Sequence, residues 1–214
     1  MKIFIAGDST AAPKIESKHP ETGWGECLHE FISPLYDIFN LAENGRSTKS
    51  LIDEERLDII DSKIQKNDLL LIQFGHNDEK SDDPSRYTTL SQCTANLDRM
   101  AKVATSHDAI PVFITSITRR KFVGGKLDSN AVKDYPNAMK TYALNHKYHL
   151  IDMYKISQDI LSMSGEKGSI KYFNHLLPNA HPNYPEGIKD DTHFGPYGAR
   201  QFASIIASYL QHYL

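Results

Sequence analysis

The sequence predicts an α/β protein built on a five-stranded parallel sheet, and two observations carry that prediction. Five short apolar runs alternate with longer stretches of helical periodicity, the pattern of strands joined by right-handed helical crossovers. One of those runs, Leu69-Leu70-Leu71-Ile72, is apolar at four consecutive positions, as a central strand buried on both faces requires. No internal repeat, low-complexity tract or linker interrupts the alternation, so residues 1–214 are expected to form one domain.

Residues 2–6 read as the first strand, 23–32 as a helix and 36–41 as the second strand. In 51–64 the apolar residues Leu51, Ile52, Leu57, Ile59, Ile60 and Ile64 predict helix in one or two pieces. The third strand spans 68–74. A polar stretch over 78–86 then leads to a long helix from about 87 to 107. Residues 110–114 form the fourth strand, whose Pro111 is tolerable near the start. Gly124 and Gly125 fall in a loop before a helix near 130–146. Residues 150–152 make a short fifth strand, followed by a helix near 153–164. The segment 174–194 contains Pro178, Pro182 and Pro185 without periodicity and reads as an extended loop. A final helix over 196–213 carries Phe202, Ile205, Ile206 and Leu210 on its apolar stripe.

Composition narrows the function classes. With 40% apolar and 24% charged residues the chain is neither disordered nor collagen-like, and no run approaches the 18 or so apolar residues of a membrane span. Twenty-four basic against 27 acidic residues give a net charge of −3, which offers no basic field for nucleic acid or an anionic membrane. The one tight basic run, Arg119-Arg120-Lys121, reads as a solvated turn. Two cysteines, Cys27 and Cys93, are too few for a disulfide framework and read as free thiols. After Met1 and Lys2 only Ile3-Phe4-Ile5-Ala6 stand before Gly7, short of the apolar core of a secretory signal. The expected location is the cytoplasm, secretion requiring that a signal had been removed.

In open parallel sheets ligands bind beyond the carboxyl ends of the strands, so those ends are where chemistry is sought. Strand one ends in Gly7-Asp8-Ser9-Thr10, which places a serine at the rim; a turn with a helix cap is the plain structural alternative. Strand two ends in Glu43-Asn44-Gly45-Arg46-Ser47. Gly45 offers a backbone N–H free of any side chain, or simply a turn. Strand three ends in Gly75-His76-Asn77-Asp78, where Asn77 supplies an amide donor or an Asx turn. Before the last helix comes Asp190-Asp191-Thr192-His193-Phe194. A carboxylate three residues before a histidine can hold the imidazole and leave its second nitrogen to take a proton from a serine; alternatively the aspartates cap the helix. Taken together, the four loops gather a nucleophile, two donors and an Asp–His pair at one edge.

With these blocks in view the chain resembles the SGNH (GDSL-like) hydrolases, and within them the rhamnogalacturonan acetylesterase group. Gly7-Asp8-Ser9-Thr10, Gly45-Arg46-Ser47, Gly75-His76-Asn77-Asp78 and Asp190-Asp191-Thr192-His193-Phe194 carry the resemblance. A fifth block, Thr22-Gly23-Trp24-Gly25, resembles the segment that opens the first helix in these esterases. The resemblance implies a flavodoxin-like three-layer α/β/α sandwich. It implies Ser9 as nucleophile, His193 as general base and Asp190 as its partner, Asp191 lying beside the matching position. Ser9 N–H, Gly45 N–H and the Asn77 side chain form the implied oxyanion hole. No metal or other cofactor is required, and the implied substrate is an acetylated, pectin-derived oligosaccharide, with xylan fragments or other small esters as the alternative.

Two rival readings are weaker. A metal-dependent phosphoesterase would draw on Asp8, Asn77, Asp78, Asp190 and His193, yet the ten histidines are scattered and show no ligand spacing. A non-catalytic sugar- or phosphate-binding module would have no use for Ser9, Asp190 and His193 together, and Asp8 in the first loop repels phosphate. Candidates for touching substrate are Trp24, which could instead pack into the core, His76, and His181 and Tyr184, which with His175 and Tyr197 lie in or beside the Pro-rich segment. Arg46 and Lys189 could meet acidic sugars or simply be solvated.

Overall fold

Strand residues alternate between two faces, and that alternation divides the apolar runs between two cores. The computed structural model describes residues 1–213. Strand β1 (Lys2–Gly7) sends Ile3 and Ile5 to one core and Phe4 and Ala6 to the other. Helix α1 (Trp24–Cys27), extended by a 3-10 turn at Leu28–Glu30, follows and leads to β2 (Asp37–Asn40). The predicted helix over 51–64 is two pieces, α2 (Thr48–Asp53) and α3 (Arg56–Asp61), broken where Glu55 adopts a left-handed φ of 58°. Strand β3 (Leu69–Gln73) is buried throughout, with Leu69 and Leu71 in the first core and Leu70 and Ile72 in the second. Helix α4 (Leu90–Ser106) and strand β4 (Ile110–Ile114) come next.

Beyond β4 the chain forms a small hairpin, β5 (Phe122–Val123) and β6 (Lys126–Leu127), where sequence reading saw only a loop. Gly124 and Gly125 take φ values of 58° and 77°, the positive angles that a two-residue hairpin turn demands. Helix α5 (Tyr135–Asn145), strand β7 (His149–Ile151) and helix α6 (Met153–Gly168) complete the alternation. The segment 174–194 corrects a second expectation. It is an antiparallel pair, β8 (Phe173–Leu176) and β9 (Ile188–Phe194), and its three prolines sit in the connection between the strands. Helix α7 (Pro196–Leu210) closes the fold.

The five parallel strands are ordered β2-β1-β3-β4-β7, the flavodoxin-like order that the resemblance implies. Helices α1, α6 and α7 cover one face and α2 to α5 the other, giving the α/β/α sandwich. Cys27 and Cys93 are both free and buried, one in each core, with the sheet between them. No helix among the described residues is long and apolar enough to cross a membrane.

Candidate active site

Four chain segments meet at the carboxyl edge of the sheet, beside the switch point between β1 and β3. Residues Ser9, Asn44, Gly45, His76, Asn77, Thr192 and His193 line one cleft of about 430 Å³ together with Lys18, Glu21, Lys80, Arg86 and Arg119. Ser9 leaves β1 on a turn closed by Ala11 and Ala12 N–H donating to the Asp8 carbonyl. Gly23 and Gly25 let α1 press against that turn, since a Cβ on either would lie 2.1 Å from Ala12 O or 2.4 Å from Ala11 O. This packing is what the Thr-Gly-Trp-Gly block provides.

Ser9, His193 and Asp190 form a hydrogen-bonded chain. Ser9 Oγ lies 2.9 Å from His193 Nε2, and His193 Nδ1 lies 2.7 Å from Asp190 Oδ2. The carboxylate fixes the proton on Nδ1, so the Nε2 lone pair accepts from the serine hydroxyl. Asp190 Oδ1 is itself held by the Thr192 and His193 N–H groups at 2.8 and 2.9 Å. Burial works to raise the Asp190 pKa, but the hydrogen bond and charge of His193, with the two backbone N–H donors, outweigh it and hold it at about 2. Burial likewise works to lower the His193 pKa, and the Asp190 hydrogen bond and charge lift it above the ordinary histidine value. Asp191 points elsewhere, to Arg120 at 2.8 Å and His175 at 2.8 Å.

The donors predicted for an oxyanion converge on the same cleft. Among the described residues, neither the Ser9 N–H nor the Gly45 N–H meets a protein acceptor. Gly45 has φ +77° and, among the described residues, only Arg86 Nη1, at 3.8 Å, near the place of a Cβ, so an L side chain is disfavoured by backbone conformation rather than by space. Asn77 donates one N–H to the Arg46 carbonyl at 2.9 Å and accepts from Arg86 Nη1 at 3.2 Å. That fixes its amide orientation and leaves the second N–H for a ligand. Beneath it, Asp78 accepts from the Thr48 and Thr88 hydroxyls at 2.5 and 2.9 Å, and burial raises its pKa to about 6 against those hydrogen bonds.

Sequence reading missed the residue that ties these loops together. Lys14 Nζ donates to the Ser9 carbonyl, to Asn44 Oδ1 at 2.7 Å and to Glu21 at 2.9 Å, with its side chain wholly buried. Glu21, Asp190 and His193 bring donor atoms within 4.8 Å of one another, as a metal ligand set would. However, both imidazole nitrogens are engaged by Asp190 and Ser9, and the Glu21 carboxylate is paired with Lys14. The donor set is already spent on internal partners.

Of the predicted substrate contacts, the cleft holds His76 alone. His76 is 3% exposed, and its Nδ1 meets Asp8 Oδ2 at 3.3 Å, so it belongs to the floor. Trp24 is fully buried and donates Nε1–H to Gln73 Oε1 at 3.0 Å; it packs in the core because its indole N–H finds an acceptor at the end of β3. His181 and Tyr184 also lie outside the lining. His181 Nδ1 accepts from Asn183 N–H at 3.2 Å, and the Tyr184 hydroxyl donates to the Lys18 carbonyl at 3.0 Å. Asn183 adds donations to the Glu16 and His19 carbonyls, so this loop clamps the segment carrying Glu21. Arg46 is paired with Glu54 at 2.8 Å, and Lys189 lies outside the cleft.

The chain is similar to known proteins over its whole length. It is 37% identical to rhamnogalacturonan acetylesterase RhgT of Bacillus subtilis over 207 residues, covering 97% of this chain and 88% of that protein. Among solved structures, protein YXIM of Bacillus subtilis superposes with a TM-score of 0.82 at 19% identity over 99% of this chain; the match spans only 56% of that longer chain. Axe2, an acetylxylan esterase from Geobacillus stearothermophilus, superposes with a TM-score of 0.68 at 15% identity, covering 99% of this chain and 93% of that one. Residues 5–201 match the GDSL-like lipase/acylhydrolase family, and the chain belongs to that family.

Proposed function

We propose that this protein is a serine acetylesterase that removes acetyl groups from pectin-derived, rhamnogalacturonan-type oligosaccharides through an acetyl-enzyme. The observation that carries the reading is the hydrogen-bonded chain from Ser9 through His193 to Asp190, open to a cleft with unengaged donors. The substrate class rests on the 37% identity to a rhamnogalacturonan acetylesterase.

Ser9 Oγ attacks the acetyl carbonyl while its proton passes to His193 Nε2. Ser9 N–H, Gly45 N–H and Asn77 Nδ2–H stabilise the oxyanion, and Asp190 stabilises the imidazolium. The tetrahedral intermediate collapses by breaking the bond to the sugar oxygen, which takes the proton from His193 and leaves as the free hydroxyl. Water then loses a proton to His193, attacks the acetyl-Ser9 carbonyl and releases acetic acid with the serine restored. Acetate release from a panel of acetylated oligosaccharides, with Ser9→Ala as control, tests the reading. Release from uronate-containing pectin fragments that vanishes in Ser9→Ala is expected. Release from acetylated xylan fragments alone would favour the other substrate, and undiminished release in Ser9→Ala would remove the nucleophile.

A further inference from the structure

The cleft has a charge pattern opposite to that of the chain. The protein carries a net charge of −3, yet the described residues lining the cleft include Lys18, Lys80, Arg86 and Arg119 against a single carboxylate, Glu21. Glu21 is already neutralised by the buried Lys14 ammonium at 2.9 Å. The two arginines are held by structural partners. Arg86 pairs with Asp83 at 2.8 Å and orients Asn77, and Arg119 pairs with Glu79 and donates to the His76 carbonyl at 3.2 Å. Lys18 and Lys80 differ: among the described residues, neither ammonium has an acceptor. Two unspent cations therefore face the space beside the nucleophile.

Their placement is specific. Lys80 closes the turn that presents Asn77, its N–H donating to the Asn77 carbonyl at 3.2 Å. Lys18 ends the 3-10 turn at Glu16–Lys18, in the segment that also carries Glu21. One lysine thus stands with the oxyanion donors and the other with the residues around His193. We propose that Lys18 and Lys80 form a carboxylate-binding subsite, which recognises a uronate of the sugar chain whose acetyl ester lies at Ser9. This rests on the esterase reading and sharpens it: selectivity for acidic over neutral acetylated oligosaccharides comes from these two ammonium groups. A solvated lysine–carboxylate contact is individually weak and screened by salt, so the effect is a moderate, salt-sensitive preference in KM.

The test compares kcat/KM for an acetylated uronate-containing oligosaccharide with that for an acetylated xylo-oligosaccharide. Wild type, Lys18→Gln, Lys80→Gln, the double variant and a remote control, Lys102→Gln, are assayed at low and high salt. The acidic-to-neutral ratio is expected to fall about three- to fivefold in each single variant and about tenfold in the double variant, to fall for wild type in high salt, and to hold in Lys102→Gln. A ratio unmoved in the double variant, with wild type active on the acidic substrate, overturns the subsite while leaving the esterase reading intact. Wild type inactive on every acetyl ester, 4-nitrophenyl acetate included, overturns both.

Discussion

Replacing Asp190 with Asn keeps the size of the side chain and its acceptance of the Thr192 and His193 N–H groups, but removes its charge and puts an amide donor opposite His193 Nδ1. The imidazole then favours the tautomer protonated on Nε2, which cannot take the Ser9 proton. The carboxyl pKa falls from 3.8 to about 2 in the folded protein. At 1.36 kcal/mol per unit, that is about 2 kcal/mol of interaction with its surroundings. Because the folded pKa is depressed, this stability is present above pH 3.8 and is lost as the pH falls through about 2. The variant should therefore unfold at lower urea than wild type at neutral pH, and the gap should close in strong acid. For turnover, the tautomer error should lower kcat on the order of 10³–10⁴. The base must be neutral, so wild-type activity is lost as the pH falls through the His193 value, which Asp190 helps to raise above 6.5. In Asp190→Asn the acid limb of the residual activity should move to lower pH. Profiles of kcat/KM against pH on 4-nitrophenyl acetate, beside Asp191→Asn, measure both effects. Asp191→Asn should stay within about twofold of wild type, since its partners are Arg120 and His175. An Asp190→Asn enzyme within tenfold of wild type, with its acid limb unmoved, would refute the assignment.

Asn77→Ala should lower kcat on the order of 10²–10³ while far-UV circular dichroism stays unchanged; full turnover would remove the amide from the oxyanion hole. Lys14→Met leaves the buried Glu21 carboxylate without its partner and should cost about 3–5 kcal/mol in urea unfolding, much of it regained in Lys14→Met/Glu21→Leu. A single variant as stable as wild type would show that the pair is solvated. Trp24→Phe forfeits the Gln73 hydrogen bond and should cost about 1 kcal/mol with KM for the oligosaccharide unmoved, whereas a raised KM would return Trp24 to the substrate.

The sheet was legible because each strand's signal is local. Ile3 to Ala6 and Leu69 to Ile72 are apolar at every position, as a strand between two helical layers must be, whereas the strand order β2-β1-β3-β4-β7 is what the flavodoxin-like resemblance implies. What escaped was pairing whose reason lies elsewhere in the chain. The β8–β9 hairpin has Asn174, His175, Lys189, Asp190 and Asp191 within it, so no apolar alternation marks it. It exists because Phe173 and Phe194 anchor it in the core. The Gly124-Gly125 turn did carry a hairpin signal, but strands of two residues leave no periodicity to flank it.

The site divides along the same line. Ser9, Asn77, Asp190 and His193 announce themselves because a nucleophile, an amide donor and an Asp–His pair have chemistry in their own side chains and sit at strand ends or three residues apart. Lys14 has no such mark. Its position is defined by three acceptors, the Ser9 carbonyl, Asn44 Oδ1 and Glu21, that only the folded chain brings around one ammonium. An ammonium has three donors, so these acceptors exhaust it, and it is free to do nothing but hold the nucleophile turn, the Asn44-Gly45 loop and the Glu21 segment in register. Lys18 and Lys80 are the converse: among the described residues no acceptor claims them, and a cation that the fold does not use at the mouth of a cleft is available to a ligand. Partner count, which a sequence does not contain, is what separates a lysine that builds the site from a lysine that reads the substrate.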